Sequence, residues 1–85
     1  MKSFTTTDFW SNYAKLPPNI KQQAKKCYQL WKKNSQYPSL HFKKVDKNLW
    51  SIRITINYRA LAIKKGDDYY WIWIGTHDEY DNLLS

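Results

Sequence analysis

Two hydrophobic periods divide this chain near residue 40. In the first half Phe9, Trp10, Tyr13 and Ala14, and then Ile20, Ala24, Cys27, Tyr28, Leu30 and Trp31, recur at the three- and four-residue spacing that gathers side chains on one face of an α-helix. Thr6 or Thr7 can cap the first helix, over about residues 8–16, and Asp8 in its first turn suits the helix dipole. Pro17-Pro18 stops that helix and presets the next, over about 18–34. Ahead of both, Phe4-Thr5-Thr6-Thr7 is β-prone.

From Leu40 the period falls to two. Residues 40–45 form a first strand candidate. Trp50, Ile52, Ile54 and Ile56 then alternate with Ser51, Arg53, Thr55 and Asn57, which predicts a strand with its apolar face on the helices and a polar face, bearing Arg53, turned away. Residues 58–64 follow a tight reversal, and Lys65-Gly66-Asp67-Asp68 turns the chain into 69–75, apolar on both sides as a central strand is. Thr76 can cap a short helix or ordered tail that docks through Tyr80, Leu83 and Leu84. This order predicts an α+β two-layer sandwich within one domain, residues 1–85. A short N-terminal strand and a helical hairpin pack on a three- to four-stranded, largely antiparallel sheet, and a short helix or tail ends the chain.

Composition supports a packed domain: 42% of the 85 residues are hydrophobic and 18% aromatic, with only two Gly and three Pro, which excludes a disordered or collagen-like chain. Cys27 is alone, so neither an intrachain disulfide nor a multi-cysteine zinc site is possible. The amino terminus lacks the apolar run of a secretory signal and no stretch is long enough to span a bilayer, which predicts a cytoplasmic protein with no membrane partner. Charge adds more. The net +7 is split along the chain: residues 1–65 carry all 14 Lys and Arg against Asp8 and Asp46, whereas 66–85 carry five acids and no base. A concentrated cationic surface attracts polyanions, so nucleic acid, the ribosome or an acidic protein segment are natural partners.

The same strands place chemistry on the open sheet face. Arg53, Arg59, Lys43 or Lys44, His77 and Tyr80 converge there if the strands pair in order. RNA cleavage by its own 2′-hydroxyl needs a base for that proton, cations for the crowded phosphorane and an acid for the departing 5′-oxygen. His serves either proton role near neutrality and Arg offers a forked, fixed charge to phosphate oxygens. Ordinary roles compete: Arg59 can pair with Asp46 or a tail carboxylate, His41 beside Phe42 reads as a sheet-surface residue, and Tyr80 as a docking ring. No His-Glu-x-x-His spacing, Gly-rich phosphate loop or Gly-x-Ser-x-Gly elbow occurs, so no metal and no cofactor is expected.

Several segments in order carry a resemblance: Tyr13-Ala14-Lys15-Leu16-Pro17, Pro38-Ser39-Leu40-His41-Phe42-Lys43, Trp50-Ser51-Ile52-Arg53-Ile54, Tyr58-Arg59-Ala60-Leu61, and Trp73-Ile74-Gly75-Thr76-His77-Asp78-Glu79-Tyr80-Asp81. Together they resemble the RelE/ParE superfamily of type II toxin–antitoxin toxins, and the last is most similar to a RelE/HigB-like subgroup. The resemblance implies a compact toxin whose concave sheet face holds the site. In the RNA-cleaving branch such a toxin cuts mRNA in the ribosome without metal; in the ParE branch it poisons DNA gyrase. It further implies Arg53, Arg59 and His77 as catalytic residues, with Tyr80 near the family's carboxy-terminal Tyr, and Lys43 or Lys44 as the RNA-binding cation. A cognate antitoxin that wraps the toxin and blocks its active face is implied as partner. The resemblance favours a ribosome-dependent mRNA endoribonuclease that inhibits translation; the alternatives are a ParE-like gyrase inhibitor or an inactive, protein-binding relative.

Overall fold

The computed structural model describes residues 2–85, in the order β1 (Ser3–Thr5), α1 (Thr7–Tyr13), α2 (Pro18–Lys33), a 3-10 turn (Pro38–Leu40), β2 (Lys43–Asp46), β3 (Leu49–Thr55), β4 (Tyr58–Lys65), β5 (Asp68–Thr76) and α3 (His77–Leu84). All five strands share one sheet in the order β1-β5-β4-β3-β2. The four from β2 to β5 are antiparallel to their neighbours, and β1 adds to β5 in parallel. The α+β sandwich is as the hydrophobic pattern predicts, with the N-terminal strand joined to the sheet's edge.

Local chemistry sets the boundaries. Thr6 caps α1 by accepting from the Phe9 amide at 3.2 Å while its hydroxyl donates to the Trp71 carbonyl at 2.9 Å, so one side chain both starts the helix and ties it to β5. Helix α1 ends at Tyr13, three residues before its expected stop, and buries no side chain; Trp10 is 50% exposed. Pro18 opens α2 at its first position, and Ile20, Ala24, Cys27 and Trp31 form its buried stripe. The first sheet candidate divides: Leu40 closes the 3-10 turn and β2 begins only at Lys43, because His41 between them takes a left-handed conformation, φ 46°.

The core lies between the helices and one sheet face. Trp31, wholly buried, is its centre: Tyr69, Trp71 and Phe42 meet it edge-on at 5.2–5.6 Å and Tyr28 stacks on it at 6.1 Å. Ile52, Ile54, Ala60, Ala62 and Ile74 supply the sheet side. Ile56, expected to continue that face, belongs to the β3–β4 turn instead and is 68% exposed. Ser3 Oγ accepts from Tyr28 Oη at 2.8 Å and from Trp71 Nε1 at 3.0 Å, which fixes β1 to both layers. No described helix is long and apolar enough to cross a membrane.

Candidate functional site

The pleat decides which cations share a face. Ile52 and Ile54 point into the core, so Ser51, Arg53 and Thr55, between them on β3, point to the face that α1 and α2 leave open. Arg59 stands directly opposite Arg53 on β4. Lys43 lies opposite Ser51 and follows it to the open face, whereas Lys44 lies opposite Trp50 and is carried to the other side. His41 precedes β2, and α3 delivers His77 and Tyr80 immediately after β5. His41, Lys43, Ser51, Arg53, Arg59, His77 and Tyr80 together line one hollow of about 400 Å³. Five of the six residues singled out from the sequence thus meet, and Lys44 does not.

Two of them are differently engaged from what their type alone suggests. Arg59 Nη1 donates to the carbonyls of Thr55, Ile56 at 3.2 Å and Tyr58 at 3.0 Å, so the side chain clamps the β3–β4 turn and keeps its other N–H groups for the hollow. It pairs neither with Asp46 nor with a tail carboxylate. Burial, then the facing Arg53 charge, lowers its pKa from the ordinary arginine range; Tyr80 and Asp81 oppose that in part. Tyr80 is buried, and its hydroxyl donates to Ser51 Oγ at 3.1 Å, which pins α3 to the sheet.

His77 Nδ1 lies 3.1 Å from Asp81 Oδ2, one helical turn on, which orients the ring and leaves Nε2 as the other nitrogen. The His77 amide donates to the Asn57 carbonyl at 2.7 Å, so the start of α3 is tied to the same turn that Arg59 clamps. His41 is the residue that sequence reasoning assigned to the sheet surface. Its Nε2 is 3.5 Å from Arg53 Nη1, and the left-handed backbone after buried Leu40 turns the ring toward the hollow. Among the described residues His77, Asp78 and Asp81 form the one group able to hold a metal ion, with candidate ligand atoms within 4.8 Å of one another.

The electrostatics are unbalanced. Like charges directly across an antiparallel pair repel, yet Arg53 faces Arg59, and among the described residues no Lys or Arg forms an ion pair with a carboxylate. A concave face carrying two such guanidiniums and two imidazoles is suited to an anion with several oxygens.

The ParE-like toxin domain family matches residues 18–82, and the chain belongs to that family. The family is that of toxins of toxin–antitoxin systems. Among solved structures, the chain is similar to the toxin of the RelB–RelE antitoxin–toxin complex from Methanococcus jannaschii, with a TM-score of 0.72, 19% identity, and 96% of this chain and 99% of that one covered. A YoeB/ParE toxin from Agrobacterium tumefaciens follows at 0.69 and 18%, covering 91% and 99%. A copper-bound mutant toxin from Helicobacter pylori gives 0.65 and 15%, covering 93% and 97%. At these identities the likeness is one of fold. No curated protein matches the chain.

Proposed function

We propose that this toxin is an endoribonuclease that cuts mRNA on the ribosome, and that the hollow is its active site. The observation that carries the reading is the Arg53–Arg59 pair: two like charges opposed across one ladder with no carboxylate between them, an arrangement that a phosphate would relieve. The scissile phosphate sits against Arg53 and the free N–H groups of Arg59, with Lys43 holding the neighbouring backbone. One imidazole removes the 2′-hydroxyl proton as that oxygen attacks phosphorus; the other gives a proton to the 5′-oxygen as the P–O bond breaks. The products are a 2′,3′-cyclic phosphate and a 5′-hydroxyl. His77, oriented by Asp81, and His41, beside Arg53, are the two candidates, and both line the hollow. Tyr80 acts by positioning, since its hydroxyl is engaged with Ser51. The guanidiniums supply the charge stabilisation, and no step passes through a metal.

Mapping transcript ends in a translation extract containing the purified chain tests the reading. New 5′ ends within translated messages are expected, and they should vanish when the message carries a 2′-deoxy sugar at the cut position. The ParE-like family match favours gyrase inhibition as the second reading: gyrase-dependent DNA breaks with messages left whole would establish it instead. An acidic antitoxin is the proposed partner in either case.

A further inference from the structure

The open face of the sheet carries aromatic side chains as well as cations. On β5 Tyr69 and Trp71 point into the core, so Tyr70 between them points to the face that bears the hollow. On β1 Ser3 and Thr5 turn to the helix side, where Ser3 accepts from Tyr28 and Trp71 and Thr5 from Trp10, so Phe4 faces the same way as Tyr70. The two are register partners, and their rings stack at 4.9 Å and 17°. Lys65 completes the row from β4, its ammonium 5.3 Å from the Tyr70 ring. Tyr70 is thus flanked by a cation on one side and by the Phe4 ring on the other.

Phe4 stands on the edge strand of the sheet and is 40% exposed. A ring stacked on one side and open on the other has given up its rotamer freedom before a ligand arrives, so a flat, π-faced ligand extends the row at little cost. The charges around it are mixed. Lys2 and Lys65 stand against Asp67 and Asp68, and the Asp68 carboxylate accepts from the Lys2 amide at 3.0 Å. Such a place offers little to a phosphate and a stacking partner to an uncharged base. It also belongs to the same surface as the hollow. Along β4, Ile63 pairs with Tyr70 and Arg59 with Gly75, while Ala60 and Ala62 point to the core. Four residues of strand, about 13 Å, therefore separate the level of the rings from that of the guanidiniums, a span that one bound single strand covers.

We infer that Phe4 and Tyr70 form a stacking platform for an unpaired base of the message, several nucleotides from the phosphate held in the hollow. The inference rests on the reading of the hollow as an RNA site and adds to it a second, uncharged contact. The guanidiniums take the backbone through its charge, and the ring row takes a base through its face, whatever that base is.

The probe is a short single-stranded RNA with a 2′-deoxy sugar at the cut position, so that it binds without being cleaved. It carries a fluorescent adenine analogue, dimmed by stacking, at one position at a time. Titrated into the full chain, it should dim at a position away from the cut. Phe4→Leu keeps the apolar character and loses the π-face; it should remove the dimming and weaken binding at least about fivefold with the salt slope unchanged, and Phe4→Trp should restore both. Trp10→Ala, which removes an exposed ring from the helix side, should change neither. Arg53→Ala should weaken binding and flatten the salt slope. Melting curves verify folding; should Phe4→Leu melt early, an abasic RNA lacking the dimmed base should bind the parent chain at least about fivefold more weakly. No dimming away from the cut up to about 1 mM, equal binding of the abasic and complete RNAs, or Phe4→Leu behaving as the parent would each overturn the proposal. A dimer of the chain that Phe4→Leu dissociates would also overturn it, making the rings a contact between copies. Weaker binding by Phe4→Leu with Arg53→Ala at parent affinity would uphold the platform and count against the hollow.

Discussion

Arg53 and Arg59 occupy equivalent places across β3 and β4 but have unequal duties. Arg59 holds the β3–β4 turn through three carbonyls, and Arg53 has no carboxylate partner. Arg59→Ala should therefore lose stability, by about 1–2 kcal/mol or several degrees in melting temperature, whereas Arg53→Ala should melt at or slightly above the parent because a like-charge contact is relieved. Thermal melts of both variants check the contrast. The core offers a second contrast. Trp31 Nε1 is buried without a partner, while Trp71 Nε1 donates to Ser3. Trp31→Phe should cost less than Trp71→Phe by about 1 kcal/mol, read from chemical denaturation, since the first removes an unsatisfied donor along with the lost packing and the second breaks a made bond. Arg53, Arg59 and His77 were legible from strand alternation joined to the resemblance. The choice of Lys43 over Lys44 was not, because it depends on the register against β3. His41 was also hidden: its place at the hollow follows from a positive φ set by the turn around buried Leu40, which side-chain pattern does not encode.

At the scale of elements, α3 is held by little. Tyr80 is its one buried side chain, Leu83 is 57% exposed, and its first turn is fixed by a capping box in which the Thr76 amide and hydroxyl donate to Glu79 Oε1 at 3.0 and 2.9 Å. Those bonds, the backbone one first, hold the Glu79 carboxyl below its ordinary range. A depressed folded pKa contributes stability above the ordinary carboxylate value of about 4.3, and that stability is lost as pH falls through the lower folded value. Hydrogen exchange should show α3 opening ahead of the sheet in that acid window, and Glu79→Gln should remove the pH dependence of the opening. Gly75 sits under the same box: a β-carbon there would meet the Trp73 ring and come within 2.9 Å of Glu79 Oε1. Gly75→Ala should consequently loosen α3 and lower activity through His77 and Tyr80 while β3 and β4 keep their exchange protection. The helices, strands and tail cap were readable because Pro17-Pro18, the change of period at Leu40 and Thr76 are local signals. The early end of α1 was not, because after Tyr13 the chain tightens into a turn in which the Lys15 and Leu16 amides donate three residues back, to the Asn12 and Tyr13 carbonyls, a switch that the apolar spacing does not encode.

Across the whole molecule the sheet separates two concavities of opposite character, one lined with guanidiniums and imidazoles and the other with rings and aliphatic side chains under a lysine rim. The basic first 65 residues supply every lysine and arginine of both, and the acidic end of the chain adds His77 and Tyr80 to the first, where Asp81 pairs with His77. Association with a polyanion should accordingly weaken steeply with salt, and Lys43→Ala should shallow the slope by about one unit without altering the choice of cutting site. The most direct measurement of the central claim is the single-turnover rate of message cleavage on programmed ribosomes for the parent chain, Arg53→Ala and His77→Ala, each verified as folded. The hollow as active site predicts losses of about 100-fold or more for each variant; cleavage at the parent rate by both would contradict it.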